Sequence, residues 1–529
     1  MSDIEVLNGR ARILAGVAVA LIVATGIFLR FFTHSALWLD EALTVDRSAL
    51  PLGKIAASVK QDGAPPLFYY LLHYWMDLFG QSDLATRSLS GVIGVATLPV
   101  AWLAARQFAG RVAAWVTLVL LASAPFAVYY STEARMYSLE ILLTGCGYLA
   151  LRRALLQPRA GNLIATAVVT AALLYTQYWS LYLVATVGIW LLASAWLDRR
   201  AAQRAEAGPT ARHPLAAFAA VAGGSLLFAP WLPTFVYQSQ HTGTPWAKPP
   251  NLSAIISAIT GFTTNQGSLT IGTNQGRLLA LIYLAMLALA IFGIGKTNYL
   301  IDLDLRTQPR ARGMAFVVVG TLFVAVAGGI LNGSAFSPRY ASVVFLPLLL
   351  LVGLGITTLL SLRLRMVVVA VTVAVGLFAS FQNIVTLRTQ APKVAAVINA
   401  HARAGDIVAF CPDQIGPAVY RLTASPSRLH MITFPRGTSP AFVDWVDYQQ
   451  VVQHTNPVTF AARLAADAGT THRIWLVWEP GYQTYKSECE TIYGALLGNH
   501  QYTGREWVNS DGYLYYEPMD LTEYSPVAS

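Results

Sequence analysis

Four short clusters in this chain of 529 residues bring ionisable and aromatic side chains together in ways that packing alone does not require. The first is Trp38-Leu39-Asp40-Glu41-Ala42. Its adjacent carboxylates suit a general base or a hard metal ion, or they cap a helix by meeting its free N–H groups. The second runs from Gln61 to Tyr70, where Pro65-Pro66 fixes the path of the chain into a helix and Asp62 and Tyr69 are polar members. The third, Tyr129 to Ser138, sets Glu133 and Arg135 in a tight turn between two apolar runs. An Arg fork donates two parallel hydrogen bonds and so suits phosphate; a pair with Glu133 or Glu140, or a lipid headgroup, is the plainer alternative. The fourth, Ser337-Pro338-Arg339-Tyr340, repeats the motif of one Arg in a very short loop. Two acidic loops and two Arg together describe a site for an anionic substrate.

The elements that must position these clusters are apolar. The chain is 55% hydrophobic and 12% charged, about half the charge of a soluble protein, and its mean hydropathy is +0.50. That excludes a disordered protein, a coiled coil and an ordinary cytosolic enzyme. Runs of bilayer-spanning length recur and predict eleven transmembrane helices, at 12–32, 87–105, 112–129, 136–152, 162–178, 180–197, 214–232, 276–294, 314–332, 340–360 and 366–383. The first is too long for a cleaved leader and stays as a helix. The net charge of +9 does not signal nucleic acid, because the Arg residues fall at helix ends. One set of loops holds most of them, including Arg152, Arg153, Arg199, Arg200, Arg204, Arg310, Arg312, Arg363 and Arg365. The other set holds only Arg47, Lys54, Lys60, Arg135, Lys248 and Arg339, with Arg87 and Arg277 at its borders. Positive residues stay inside, so a cytoplasmic N-terminus and an outer C-terminus are expected, with all four clusters outside.

Two outer loops are long. That at 33–86 contains LFYYLLHYWMDLF, Leu67 to Phe79, which predicts a helix lying in the membrane interface. The other, 233–275, carries Trp246, Pro249 and Pro250 and then a weakly amphipathic stretch. The division expected is a transmembrane domain over 1–385 and a soluble α/β domain over 386–529. The latter holds nearly half of the 27 acidic residues. Strands are predicted at Asp406–Phe410, Arg428–Phe434 and Arg473–Trp478, helices near 392–403, 458–468 and 481–496, and an aromatic hairpin about Ser510-Asp511-Gly512. Tyr513, Tyr515 and Tyr516 of that hairpin either stack on sugars or form ordinary cross-strand pairs. Cys411 and Cys489 either pair or remain buried thiols; Cys146 lies in a span.

In this order and on this face, the four clusters resemble the GT-C superfamily of integral membrane glycosyltransferases. The closest likeness is to family 39, which includes protein O-mannosyltransferases and bacterial aminoarabinose transferases. Asp40-Glu41 is similar to that family's Asp-Glu motif, Ala64 to Tyr70 to its Pro-Pro-Leu-Tyr-Tyr element, Ser131 to Tyr137 to its Glu-Ala-Arg-Met-Tyr turn, and Pro338-Arg339-Tyr340 to its late Arg-Tyr motif. The resemblance covers roughly residues 10–385. Where relatives carry His or Lys before Pro-Pro, this chain has Ala64, so a charge needed there must come from Asp62, Lys60 or His73.

The resemblance implies a donor sugar on a polyprenyl phosphate, moved on the outer face by one inverting displacement. Asp40 and Glu41 are the implied catalytic pair: Asp40 accepts the proton of an acceptor hydroxyl, and Glu41 orients Asp40 or touches the sugar. Arg135 and Arg339 would bind the donor phosphate. Asp62, Tyr69, Tyr130, Glu133, Tyr137 and Tyr340 would line the pocket. No metal or other cofactor is assigned, since family 39 argues against the divalent ion used in some GT-C branches. The acceptor is a glycan, a glycolipid or a protein Ser or Thr; mannose is expected first as the sugar and a pentose second. The Ala- and Arg-rich composition points to a GC-rich bacterium and hence a multi-pass protein of the plasma membrane. The competing reading is a transporter or flippase of a lipid-linked saccharide. Its expected signs are polar groups at the midplane and repeated halves, whereas here polar residues crowd the outer boundary. A receptor would leave the loop motifs unexplained.

Overall fold

A computed structural model describes residues 9–203, 212–243, 250–263, 273–298, 300–332, 336–482 and 484–527. Helix α1 (Gly9–Leu29) opens the chain, and three short helices, α2 (Leu39–Ser48), α3 (Leu52–Val59) and α4 (Leu67–Phe79), fill the first long loop. Then come α5 (Asp83–Ala109), α6 (Arg111–Ser123), α7 (Pro125–Ser131), α8 (Tyr137–Leu156), α9 (Ala160–Thr176) and α10 (Ser180–Gln203). They are followed by α11 (Pro214–Leu226), α12 (Leu232–His241), α13 (Ser253–Gly261), α14 (Thr273–Phe292), α15 (Pro309–Asn332), α16 (Ser342–Thr358) and α17 (Leu362–Val385).

Each of the eleven expected spans falls on helix, yet among the described residues eight helices have the length and apolarity to cross a membrane, or nine when α6 and α7 count as one. The difference has three sources. Pro125 has no N–H to continue α6 and starts a new helix instead, so the run predicted at 112–129 is bent by 55°. Helix α8 carries Glu140, Arg152 and Arg153 in its 20 residues, and α9 has only 17. The run predicted at 214–232 continues past a 3-10 turn at Ala229–Trp231 to His241, so the second long loop begins later than expected. Its weakly amphipathic stretch is α13; Trp246, Lys248 and Pro249, like Arg204, lie outside the described residues.

Helix α16 is apolar all round, which suits a helix surrounded by others, and 89% of its spanning window is buried against 11% for α1. It is the axis of the bundle and α1 a peripheral member. Helix α4 has the bounds expected. It buries Phe68, Tyr69, Leu72 and Met76 and leaves Leu71, Tyr74, Leu78 and Phe79 exposed, as an interfacial helix should.

A short antiparallel pair, β1 (Gly293–Gly295) with β2 (Ile301–Leu303), ties the loop between α14 and α15. Beyond α17 the chain forms β3 (Leu387–Thr389), β4 (Ile407–Cys411), β5 (His430–Thr433), β6 (Ile474–Trp478), β7 (Tyr502–Val508), β8 (Tyr515–Glu517) and β9 (Asp520–Pro526). Five of them make one sheet in the order β5-β4-β6-β9-β7, parallel at β5-β4-β6 and antiparallel at β9 and β7. Helices Ala391–His401, Pro457–Ala468 and Glu488–Leu497 cover it, the last starting seven residues later than expected. Cys411 and Cys489 form a disulfide. The expected hairpin is replaced: β7 pairs with β9, while β8 leaves the sheet and lies parallel to β3. Asp511 closes the turn itself, accepting the N–H groups of Tyr513 and Leu514, and this directs Tyr515 to Glu517 back toward the membrane bundle.

Helix α2 is shared between the two parts. Trp38, Leu39 and Leu43 belong to the apolar core of the C-terminal domain, whereas Ala42 and Val45 belong to that of the bundle. Leu39 and Leu43 stand four residues apart and Ala42 and Val45 three, so each set follows its own side of the helix.

Candidate functional site

Asp40 stands in the first turn of α2, where the positive end of the helix dipole favours a carboxylate. Its Oδ2 accepts from Arg339 Nη1 at 2.9 Å, and Arg135 Nη2 lies 4.0 Å away. Arg339 comes from a 3-10 turn at Pro338–Ala341 that leads into α16, and Arg135 from the turn between α7 and α8. Arg135 also donates to Thr44 Oγ1 at 2.9 Å, one turn on from Asp40. Neither Glu133 nor Glu140 takes Arg135: Glu140 bonds to Ser342 and Ser180. The three side chains at the centre remain slightly open, at 16% for Asp40, 12% for Arg135 and 14% for Arg339. Burial works against the charge on Arg135, but Asp40 and its neighbours keep the guanidinium pKa above its usual value. The Nε atoms of both Arg are buried and have no partner.

Glu41 has surroundings other than those expected of a group that touches sugar. It is wholly buried and turned away, with Arg87 holding both oxygens at 2.7 and 2.5 Å. Arg388 lies 3.5 Å away and the Ala134 N–H donates at 3.0 Å. Burial alone would raise this carboxyl; the bonds and charge of Arg87, with Arg388, hold it below the usual range. Arg388 in turn donates to the carbonyl and hydroxyl of Thr132 at 2.9 and 2.7 Å. Glu41 thus clamps together α2, α5, β3 and the turn that carries Arg135. Breaking such a buried pair from one side costs about 3–5 kcal/mol. Arg87 was visible only as a positive residue at the border of a span, Arg388 was not singled out at all, and their shared partner was legible for neither.

The other expected residues surround the centre in layers. Glu133 is buried and accepts from Trp38 Nε1 at 2.9 Å; burial pushes its carboxyl up to about 7, with Arg388 opposing. Tyr130 and Tyr137 pack edge to face at 4.6 Å and are closed to solvent, and the Tyr137 hydroxyl has no partner. Tyr69 is buried and donates to Asp62, which lies 3.6 Å from Arg47; burial, then the Asp62 charge, raises the Tyr69 hydroxyl. Tyr340 is half-buried, its ring 5.5 Å from the Arg339 guanidinium. Lys60 sits over the Tyr237 ring at 4.0 Å and His73 Nδ1 faces the Ser48 carbonyl at 2.7 Å, so both are engaged outside the centre. Among the described residues no three of His, Cys, Asp and Glu gather as metal ligands.

A cavity of about 380 Å³ lies on the Arg87 side of the Glu41 clamp, against Arg30, His34, Ser35, Arg87, Thr132 and Pro392. It does not include Asp40. The C-terminal domain reaches the centre directly. The Glu517 carboxyl accepts the first N–H of α2, that of Leu39, at 3.2 Å, and Tyr516 meets Trp38 edge to face with ring centres 5.1 Å apart.

Residues 63–223 match the family model for dolichyl-phosphate-mannose-protein mannosyltransferase. This stretch includes the Pro-Pro element and the Arg135 turn, though neither Asp40 nor Arg339. No curated protein matches the chain by sequence. Two solved structures of ArnT from Cupriavidus metallidurans are similar. The apo form has a TM-score of 0.56 at 14% identity, with 96% of this chain and 98% of that chain covered. The form bound to undecaprenyl phosphate has a TM-score of 0.55 at 14% identity, with 99% of each chain covered. The likeness therefore extends past residue 385, through the C-terminal domain. The chain has the fold of the GT-C superfamily of integral membrane glycosyltransferases.

Proposed function

We propose that this protein transfers a sugar from a polyprenyl-phosphate donor to an acceptor hydroxyl, with inversion at the anomeric carbon. The observation that carries this reading is the placement of Asp40 between Arg135 and Arg339. The donor phosphate would compete for both guanidinium forks and free the carboxylate. Asp40 then accepts the proton of the acceptor hydroxyl as its oxygen bonds to the anomeric carbon and the bond from that carbon to the phosphate oxygen breaks. The charge gained by the leaving lipid phosphate falls on Arg135 and Arg339, donors fixed in advance by the fold. A carboxylate is a weak base for an alcohol, so proton transfer accompanies attack, and orientation supplies much of the rate.

Glu41 is a positioning residue in this scheme. Its clamp fixes the spacing of the base and Arg135. Mannose is the first choice of sugar and a pentose the second; the match to a mannosyltransferase family model favours the first. Asp40 and the C-terminal domain lie at one end of the bundle. The bias of Lys and Arg toward the other end supports an outer location. The Cys411–Cys489 disulfide agrees with it.

The test supplies radiolabelled polyprenyl-phosphate-mannose, or its pentosyl counterpart, to purified wild type and Asp40→Asn with a membrane extract as acceptor. Wild type moves label off the donor lipid; Asp40→Asn loses roughly 10²-fold or more of that rate while donor binding survives. Equal rates would remove Asp40 from its role. Flipping of the labelled lipid in proteoliposomes without transfer of either sugar would overturn the enzyme reading.

A further inference from the structure

In a displacement between Asp40 and a phosphate held by two Arg, the place of the sugar is constrained. Reacting atoms approach to roughly 3–3.5 Å, so the sugar ring must lie within its own length of Asp40 and Arg339. Three aromatic residues border that space. Trp38 precedes Asp40, is buried, and has its indole N–H fixed by Glu133. Tyr340 follows Arg339. The third, Tyr516, comes from the C-terminal domain.

Strand β8 pairs with β3 in the register Leu387 to Tyr515 and Thr389 to Glu517. Side chains alternate along a strand: Tyr515 and Glu517 are buried, and Tyr516 between them faces the other way. Its ring stands at 87° to Trp38 and keeps 45% of its surface open. The charges of Arg339, Asp40 and Glu133 are near enough to bear on its hydroxyl. Burial raises that hydroxyl's pKa, while the ring keeps an open surface. Trp38 holds the ring at a fixed angle, a geometry that aromatic pairs favour.

We propose that Tyr516 is the platform for the donor's sugar ring, so that the C-terminal domain supplies the sugar subsite of a phosphate site built by the membrane helices. A sugar ring presents a face of C–H groups that packs on an aromatic face while its hydroxyls point elsewhere. This rests on the transferase reading above and adds to it which part of the chain senses the sugar.

Equilibrium binding of two lipids to the purified full-length protein in detergent separates the two. The probes are polyprenyl phosphate alone and polyprenyl phosphate carrying mannose or a pentose, whichever sugar the wild type binds more tightly. Tyr516→Ala weakens the sugar-bearing lipid by about three- to tenfold and leaves the bare lipid unchanged. Tyr516→Phe, which keeps the ring, binds both as wild type does. Tyr516→Leu keeps bulk without a ring face and must show the same selective loss, which separates lost stacking from a disturbed fold. Equal losses for both lipids in the Ala and Leu variants, or none, overturn the subsite and leave the transferase reading in place. A wild type that binds neither lipid overturns both.

Discussion

One oxygen of Asp40 serves two guanidinium groups, and on the proposed reading an arriving phosphate has to outbid it for them. Arg is suited to that exchange because its fork can hold phosphate while another N–H keeps its protein partner. Lys offers a single point of charge. Arg339→Lys is therefore expected to weaken bare polyprenyl phosphate by about tenfold or more, read by the same lipid titration, with helix content unchanged. Asp40, Arg135 and Arg339 were legible in the sequence because a charge beside an apolar run is costly and calls for a reason. The function of Glu41 was not, because its partners Arg87 and Arg388 are remote in sequence and nothing local marks the pairing. Tyr69, Tyr130 and Tyr137 were recognisable as neighbours of the centre, but only coordinates give their burial.

Among the secondary-structure elements, the bent pair α6 and α7 sets the height of the Arg135 turn. Helix α5 passes the end of α7 at Gly94, where a Cβ would lie 2.1 Å from Ser131 Oγ and 3.0 Å from Ser131 Cβ. Ser131 is buried and its hydroxyl donates to the Ala127 carbonyl at 2.6 Å, so it cannot swing clear. Gly94→Ala should cost roughly 1–3 kcal/mol and reduce sugar transfer by displacing the turn. Gly16→Ala, with nothing within 4 Å, should change neither; thermal unfolding and the transfer assay check both. The sequence displayed α4 to the residue, because Pro-Pro and a 3.6-residue aromatic pattern are local signals. It concealed the break at Pro125, since the apolar run continues through it and hydropathy is blind to direction. It also concealed the pairing of β8, whose parallel partner β3 lies before the whole C-terminal sheet.

Across the whole molecule, the junction of bundle and C-terminal domain is polar as well as apolar. Arg421 meets Asp46 at 2.5 Å, Arg47 donates to the Val443 carbonyl at 2.7 Å, and His241 faces Asp447 at 3.0 Å. Glu517 is buried in that junction, and burial pushes its carboxyl up to about 8. The folded protein therefore keeps a proton there that the unfolded chain releases near 4.5. Stability from this group is complete below about pH 4.5 and is lost as pH rises through about 8. Glu517→Gln cannot release that proton. Between these limits the melting temperature of the wild type should fall relative to the variant's, and below them the gap should stop changing. A gap independent of pH would show that Glu517 titrates in the folded protein as it does in the unfolded chain.

Helix α2 belongs to two hydrophobic cores at once, one face in the bundle and the other in the C-terminal domain. Asp40 thus stands on the hinge pin of the molecule. A tilt of the C-terminal domain would turn the pin and with it the carboxylate, while Arg135 and Arg339 remain with the bundle. On the proposed mechanism, the distance between base and phosphate site would then report how the C-terminal domain is seated against the bundle.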